Sequence, residues 1–272
     1  MNTVTKTLSL AVLGSLMAIG TAHAAGFAGA SSDNDNILIR NTDPVTGPHD
    51  TNGNEPGIQV TAAEGPFGQA LLSFETYQTL AGIDEVVSGY KVSTLNTSEM
   101  PPSHSSLGNF DFAQVPNQDV YFGEWTADRS NPSSTYTVYY GGKDKTTNLP
   151  SRGVAKYKVK GMNNYHTSRL MVGNLKANFR TNKIDGMLHD GVFQVFIDNN
   201  TINPSDASFS GNAKAYVVGR PLDNRGNSEG HFFGNRGKSL AGIATFNNRL
   251  LNTSFGGTRI DKAKDISNVI SR

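Results

Sequence analysis

Val154-Ala155-Lys156-Tyr157-Lys158-Val159-Lys160 decides the fold of the second half of the chain. Ala155, Tyr157 and Val159 alternate with three lysines, so an extended segment here has one apolar and one charged face, as a half-buried antiparallel strand requires. Leu175, Ala177 and Phe179 alternate in the same way with Lys176, Asn178 and Arg180, and Phe209, Gly211, Ala213, Ala215 and Val217 with Ser208, Ser210, Asn212, Lys214 and Tyr216. Eight such runs follow one another: Val154 to Lys160, Leu170 to Arg180, Lys183 to His189, Val192 to Asp198, Ala207 to Val217, Glu229 to Gly234, Ser239 to Phe246 and Leu250 to Gly256. Asp190-Gly191, Asn199-Asn200, Asp223-Asn224, Asn235-Arg236-Gly237 and Asn247-Asn248 supply the turns. Eight short strands at hairpin spacing predict an up-and-down barrel, which leaves no open edge. A barrel of that size is filled by its own side chains, which makes it a scaffold more than a pocket.

Outward from the barrel, toward the N-terminus, the texture changes near Asn148-Leu149-Pro150. Nine of the eleven prolines lie at or before Pro150, which predicts a domain of different construction over residues 25–149 and the barrel over 150–272. Phe67, Ala70, Leu71, Phe74 and Gln78 fall at helical spacing and predict a short amphipathic helix packed on a sheet. Val120 to Trp125 and Thr135 to Tyr140 read as aromatic strands, and Asp43 to Gly57 and Asn96 to Gly108 as long loops of the kind that carry function. The expected class is mainly β: an α+β N-terminal domain followed by a small eight-stranded antiparallel barrel.

The first 24 residues read as an export signal. Lys6 is their only charged side chain, Leu8 to Ile19 is an apolar run too short to span a bilayer, and Ala22-His23-Ala24 is a small-x-small cleavage site. Removing them leaves 23 basic against 23 acidic side chains, a balance that gives no electrostatic hold on nucleic acid or an anionic membrane. The absence of cysteine excludes disulfides, thiolate metal sites, a cysteine nucleophile and an acylated N-terminal cysteine. The expected product is secreted, without a membrane anchor, and monomeric.

Known catalytic motifs are missing. Gly237-Lys238-Ser239 ends like a phosphate loop, but the required glycine five positions earlier is Phe232. No Gly-x-Ser-x-Gly elbow, His-Glu-x-x-His helix or calcium loop occurs, so the chain is not expected to be an enzyme. Its remaining chemistry lies in histidines. His166, His189 and His231 are in or beside barrel strands, whereas His49 in Gly47-Pro48-His49-Asp50 and His104 in Pro101-Pro102-Ser103-His104-Ser105-Ser106 are in proline-stiffened loops. Taken alone, each reads as an exposed loop residue.

Two stretches resemble known families. Gly230-His231-Phe232-Phe233-Gly234, Ser239-Leu240-Ala241-Gly242-Ile243-Ala244 and Ser254-Phe255-Gly256-Gly257 resemble the closing strands of the barrel in transferrin-binding-protein lipoproteins and in proteins exported through the Slam outer-membrane translocon. Pro102 to Phe112, with Tyr121-Phe122-Gly123-Glu124-Trp125 and Tyr136 to Tyr140, is similar to the N-terminal domain of secreted hemophores of the hemophilin type. The resemblance implies a "handle" domain that binds haem b non-covalently, a barrel read by a Slam-type translocon, and delivery of the haem to a TonB-dependent receptor, with haemoglobin as a further candidate partner.

Such a site needs axial ligands, an apolar slot and polar groups at the propionates. His49 and His104 are the axial pair the resemblance suggests, with Tyr, Met or no residue as alternatives to His49. Phe67, Leu71, Phe110, Tyr121, Tyr139 and Tyr140 are candidates for the slot, with Phe74, Tyr90, Phe112 and Phe122 in the same pool, and Arg40, Lys91 and Lys143 for the propionates. Two competing expectations are a host-protein-binding or adhesion module with the same barrel, and a surface-structural or polysaccharide-binding protein using exposed aromatics such as Trp125.

Overall fold

The computed structural model describes residues 26–45, 51–63, 70–100 and 104–260. The expected export signal, His49, Phe67 and the two prolines before His104 lie outside the described residues.

The N-terminal part contains β1 (Ala28–Ser31), β2 (Ile37–Asn41), β3 (Pro44–Val45), β4 (Thr51–Asn52), β5 (Pro56–Val60), β6 (Leu72–Ser73), α1 (Phe74–Ala81), β7 (Glu85–Val87), β8 (Tyr90–Asn96), β9 (Asn109–Gln114), β10 (Val120–Thr126) and β11 (Thr137–Gly142). Six of these strands form one antiparallel sheet in the order β1-β11-β10-β9-β8-β7, beside a three-stranded sheet β2-β5-β6 and the hairpin β3-β4. The helix begins later than its apolar spacing predicts. Leu72 and Ser73 pair with Ile58 and Gly57 as β6, and the Ser73 hydroxyl then accepts the Thr76 N–H at 3.0 Å, capping a helix that opens at Phe74. Sheet pairing therefore takes Leu72 and Ser73, which helical periodicity alone places inside the helix.

β12 (Val154–Met162), β13 (Met171–Asn178), β14 (Lys183–His189), β15 (Phe193–Asn203), β16 (Ser208–Val217), β17 (Arg220–Phe233), β18 (Ser239–Thr245) and β19 (Thr253–Arg259) close into the expected barrel, β19 pairing back onto β12. Pro150 falls in the connection between β11 and β12. Two expected turns are not chain reversals. Asn199 and Asn200 lie inside β15, where Asn199 takes a φ of 52° and the register shifts between Asp198 and Thr201, so the left-handed asparagine makes a bulge. Asp223-Asn224 lies inside β17, and the reversal falls at Val218-Gly219, both at positive φ. That pairing of dihedrals suits a two-residue hairpin, but a β-branched valine carries no turn signal.

The barrel interior is filled with aliphatic and aromatic side chains. Phe232 is its hub, with ring centroids 5.5 Å from Phe209, 5.8 Å from Phe179 and 5.9 Å from Tyr157, and the Tyr157 hydroxyl donates to Gly237 O at 2.7 Å.

A second apolar cluster joins the handle sheet to the outside of the barrel. Tyr90, Phe122, Val138 and Tyr140 from the handle meet Phe233, Ala241 and Ile243 from β17 and β18. Contact is close enough to require glycine: a Cβ at Gly256 would come within 2.6 Å of the Phe122 ring. Polar groups fix the register of this seam. The Tyr90 hydroxyl donates toward Lys158 O and Gly256 O, and the Tyr140 hydroxyl bonds His231 Nδ1 at 2.8 Å.

At one end of the seam sits a buried carboxyl. Glu124 of β10 is 3 % exposed; the Tyr136 hydroxyl and the Tyr165 N–H of the β12–β13 connection donate to its two oxygens, each at 2.6 Å. Burial, and then the neighbouring Asp111 carboxylate, push Glu124 up to about 7. The folded chain thus holds this proton more tightly than the unfolded chain. Its stabilisation, on the order of 3 kcal/mol, is complete below about pH 4.5 and is lost as pH rises through about 7. Glu124→Gln keeps an acceptor for Tyr165 and should raise Tm at pH 8 while leaving it nearly unchanged at pH 4.5; thermal melts at the two pH values check this, and an equal shift at both contradicts it.

Candidate functional site

The other face of the handle sheet carries an aromatic layer. Side chains alternate along a strand, so Phe110 and Phe112 of β9, Tyr121 of β10 and Tyr139 of β11 share one face, and α1 lies over it. Phe74 of α1 is fully buried and stacks 4.9 Å from Tyr121 and 5.7 Å from Tyr139, while Tyr77 meets Phe110 at 4.9 Å. Tyr139 lies across Gly123, where a Cβ would meet its hydroxyl at 2.8 Å. That hydroxyl is buried without a hydrogen-bond partner among the described residues.

Three of the slot candidates, Phe110, Tyr121 and Tyr139, are therefore brought together. Tyr140 is not. One residue on from Tyr139, it faces the barrel, as do Tyr90 and Phe122, so strand alternation removes it from this layer. Leu71 is half-buried ahead of α1, its Cδ1 packed over the backbone of Gly57. Among the propionate candidates, Lys143 pairs with Glu55 at 3.3 Å, and Arg40 and Lys91 are exposed.

His104 stands at the rim of the layer, half-buried, at the start of a 3-10 turn over Ser105–Leu107. The Leu107 N–H returns to His104 O at 3.0 Å, and the Leu107 side chain, 5 % exposed, enters the aromatic layer, against which Met100 also packs. Three groups pin this turn. The Trp125 indole N–H donates to Leu107 O at 2.8 Å, the Thr97 hydroxyl donates to Gly108 O at 2.7 Å, and Gly108 takes a φ of 78°. A Cβ at Gly108 would reach 2.7 Å from Trp125 Nε1, so only glycine meets both the dihedral and the contact.

Trp125 is the principal correction to the sequence-based expectation. It is 1 % exposed, a buried pin and not a surface aromatic. Pairing with Phe110 in β9 places it on the α1 side of β10, where its donor reaches the loop that carries His104.

Donor chemistry at this rim suits an iron porphyrin. His104 is half-buried on a turn beside an aromatic core whose rings are 0–3 % exposed, and burial raises the phenols of Tyr77, Tyr121 and Tyr139 above their ordinary values. They stay protonated and are poor competitors with imidazole for iron. By contrast, the cleft of about 260 Å³ outside the same loop is lined by polar groups such as Asn96, Ser98, Asp128 and Arg129, and does not match the apolar faces of a porphyrin.

Residues 21–137 match the model for the HphA N-terminal heme-binding domain, and residues 147–259 match that for the HphA C-terminal domain. The chain belongs to the HphA family. Both HphA domains are present in order, and the matched heme-binding segment contains the His104 turn and, except for Tyr139, the aromatic layer. In fold, this HphA-family chain is similar to the crystal structure of the haemoglobin receptor HpuA from Kingella denitrificans, at 19% identity and a TM-score of 0.52 over 87% of this chain and 86% of that one. Transferrin binding protein B from serogroup B Neisseria meningitidis matches at 13% identity and a TM-score of 0.48, over 87% of this chain and 44% of that one.

Proposed function

We propose that this HphA-family chain is a secreted haem carrier that holds haem b non-covalently in the handle, with His104 as one axial ligand and His49 as the other. The observation that carries this is the pinned His104 turn at the edge of the aromatic layer, within the segment that matches a heme-binding domain. Two imidazoles would fill both axial positions of the iron and leave none for oxygen or peroxide, which suits carriage better than catalysis. Loaded carrier would pass its haem to a TonB-dependent outer-membrane receptor, and haemoglobin is the host source to test first. The barrel, filled by its own aromatic side chains, has no interior room for the cargo and would serve export through a Slam-type translocon.

Ferric haem titrated into the purified chain should give a Soret band that saturates at one equivalent, with low-spin visible bands. Absorbance that grows only as it does for haem in buffer would contradict carriage.

A further inference from the structure

We propose that Asp111, Glu124 and His166 form a binding site for one divalent transition-metal ion that bridges the handle sheet to the barrel. Asp111 comes from β9, Glu124 from β10, and His166 from the β12–β13 connection. One ligand atom from each lies within 4.8 Å of the other two. Asp111 and Glu124 are each 3 % exposed, whereas His166 is exposed and free to adjust. The three border a cavity of about 10 Å³, which is the size of a single water or ion.

The ligand set, one imidazole and two carboxylates, selects a borderline cation such as Zn²⁺ and leaves its fourth position to water. Ligand bonds of roughly 2.0–2.2 Å require a contraction of the cluster that the exposed imidazole can supply.

A cation already stands at this place. Arg129 Nη2 contacts both Asp111 oxygens, at 2.9 and 3.0 Å, from a side chain that is 23 % exposed, yet its Nε is buried with no hydrogen-bond partner among the described residues. The guanidinium therefore leaves part of its donor set unused at this position. Asp111 stays above its ordinary value because burial outweighs this pairing, and His166 is held below its own, by burial first and then by Arg129.

Zinc titrated by calorimetry into the haem-free H49A/H104A chain, which lacks the imidazoles of the handle, should bind at one equivalent. His166→Ala, a surface change that the fold tolerates, should weaken binding by at least about tenfold through loss of a ligand, and Glu124→Gln should do the same. Arg129→Ala should tighten it, since a competing cation has gone. Cobalt in place of zinc should give the intense visible bands of a four-coordinate site in the parent and not in His166→Ala. A chain that takes up no zinc, or a His166→Ala titration that matches the parent, overturns the site.

Discussion

A His104→Ala chain should lose the low-spin spectrum of the haem-loaded protein and bind haem at least about a hundredfold more weakly, a cost of about 2.7 kcal/mol. The expectation rests on geometry. His104 opens a turn that is held at three points, by Trp125, Thr97 and Gly108, so its imidazole has little freedom left to lose on binding. The substitution keeps the His104 carbonyl that accepts the Leu107 N–H, and a thermal melt beside the spectra reports any loss of fold. Absorbance spectra and a competition assay against a haem acceptor would read the two effects separately. An unchanged spectrum would remove His104 from the iron.

Trp125→Ala carries the largest expected stability effect. The indole is 1 % exposed and packs in the aromatic layer, so truncation should cost roughly 3–5 kcal/mol, a fall in Tm on the order of 10 °C. It also leaves Leu107 O without its donor and frees the turn that carries His104. Trp125→Phe separates the two consequences. It keeps most of the ring volume but not the N–H, so it should melt closer to the parent while still binding haem more weakly. Trp125→Phe with parental haem affinity would show that the indole hydrogen bond does not position the ligand.

The barrel was the most legible part of the fold, because β12 to β17 largely alternate buried and more exposed side chains, a direct record of which face meets the core, whereas β18 and β19 are buried on both faces under the handle. Ala155, Tyr157 and Val159 are buried and their neighbouring lysines face outward as expected. Reading failed where a turn residue served another purpose. Asn199-Asn200 marks a bulge and Val218-Gly219 marks the hairpin, since the left-handed conformation that asparagine favours is also what a bulge needs, while valine adopts it here only because the strands on either side impose it.

In the handle, composition picked out the aromatic residues but could not divide them between two faces, because the sheet is covered on both sides. Register makes that division, sending Tyr139 to α1 and Tyr140 to the barrel. His104 was visible as a loop histidine from its neighbours in the chain. The residues that hold it were not, since Trp125 is 21 positions away in sequence and acts through a backbone carbonyl. Glu124 was equally hidden: its raised affinity for a proton comes first from burial under the barrel and then from Asp111 across the ladder, neither of which local sequence displays.

The most direct test is a crystal structure of the chain grown with ferric haem. One porphyrin is expected in the handle beside the His104 turn, its iron bonded to the His104 imidazole and, on the opposite face, to His49. A porphyrin bound elsewhere, or an iron out of bonding reach of His104, would contradict that expectation.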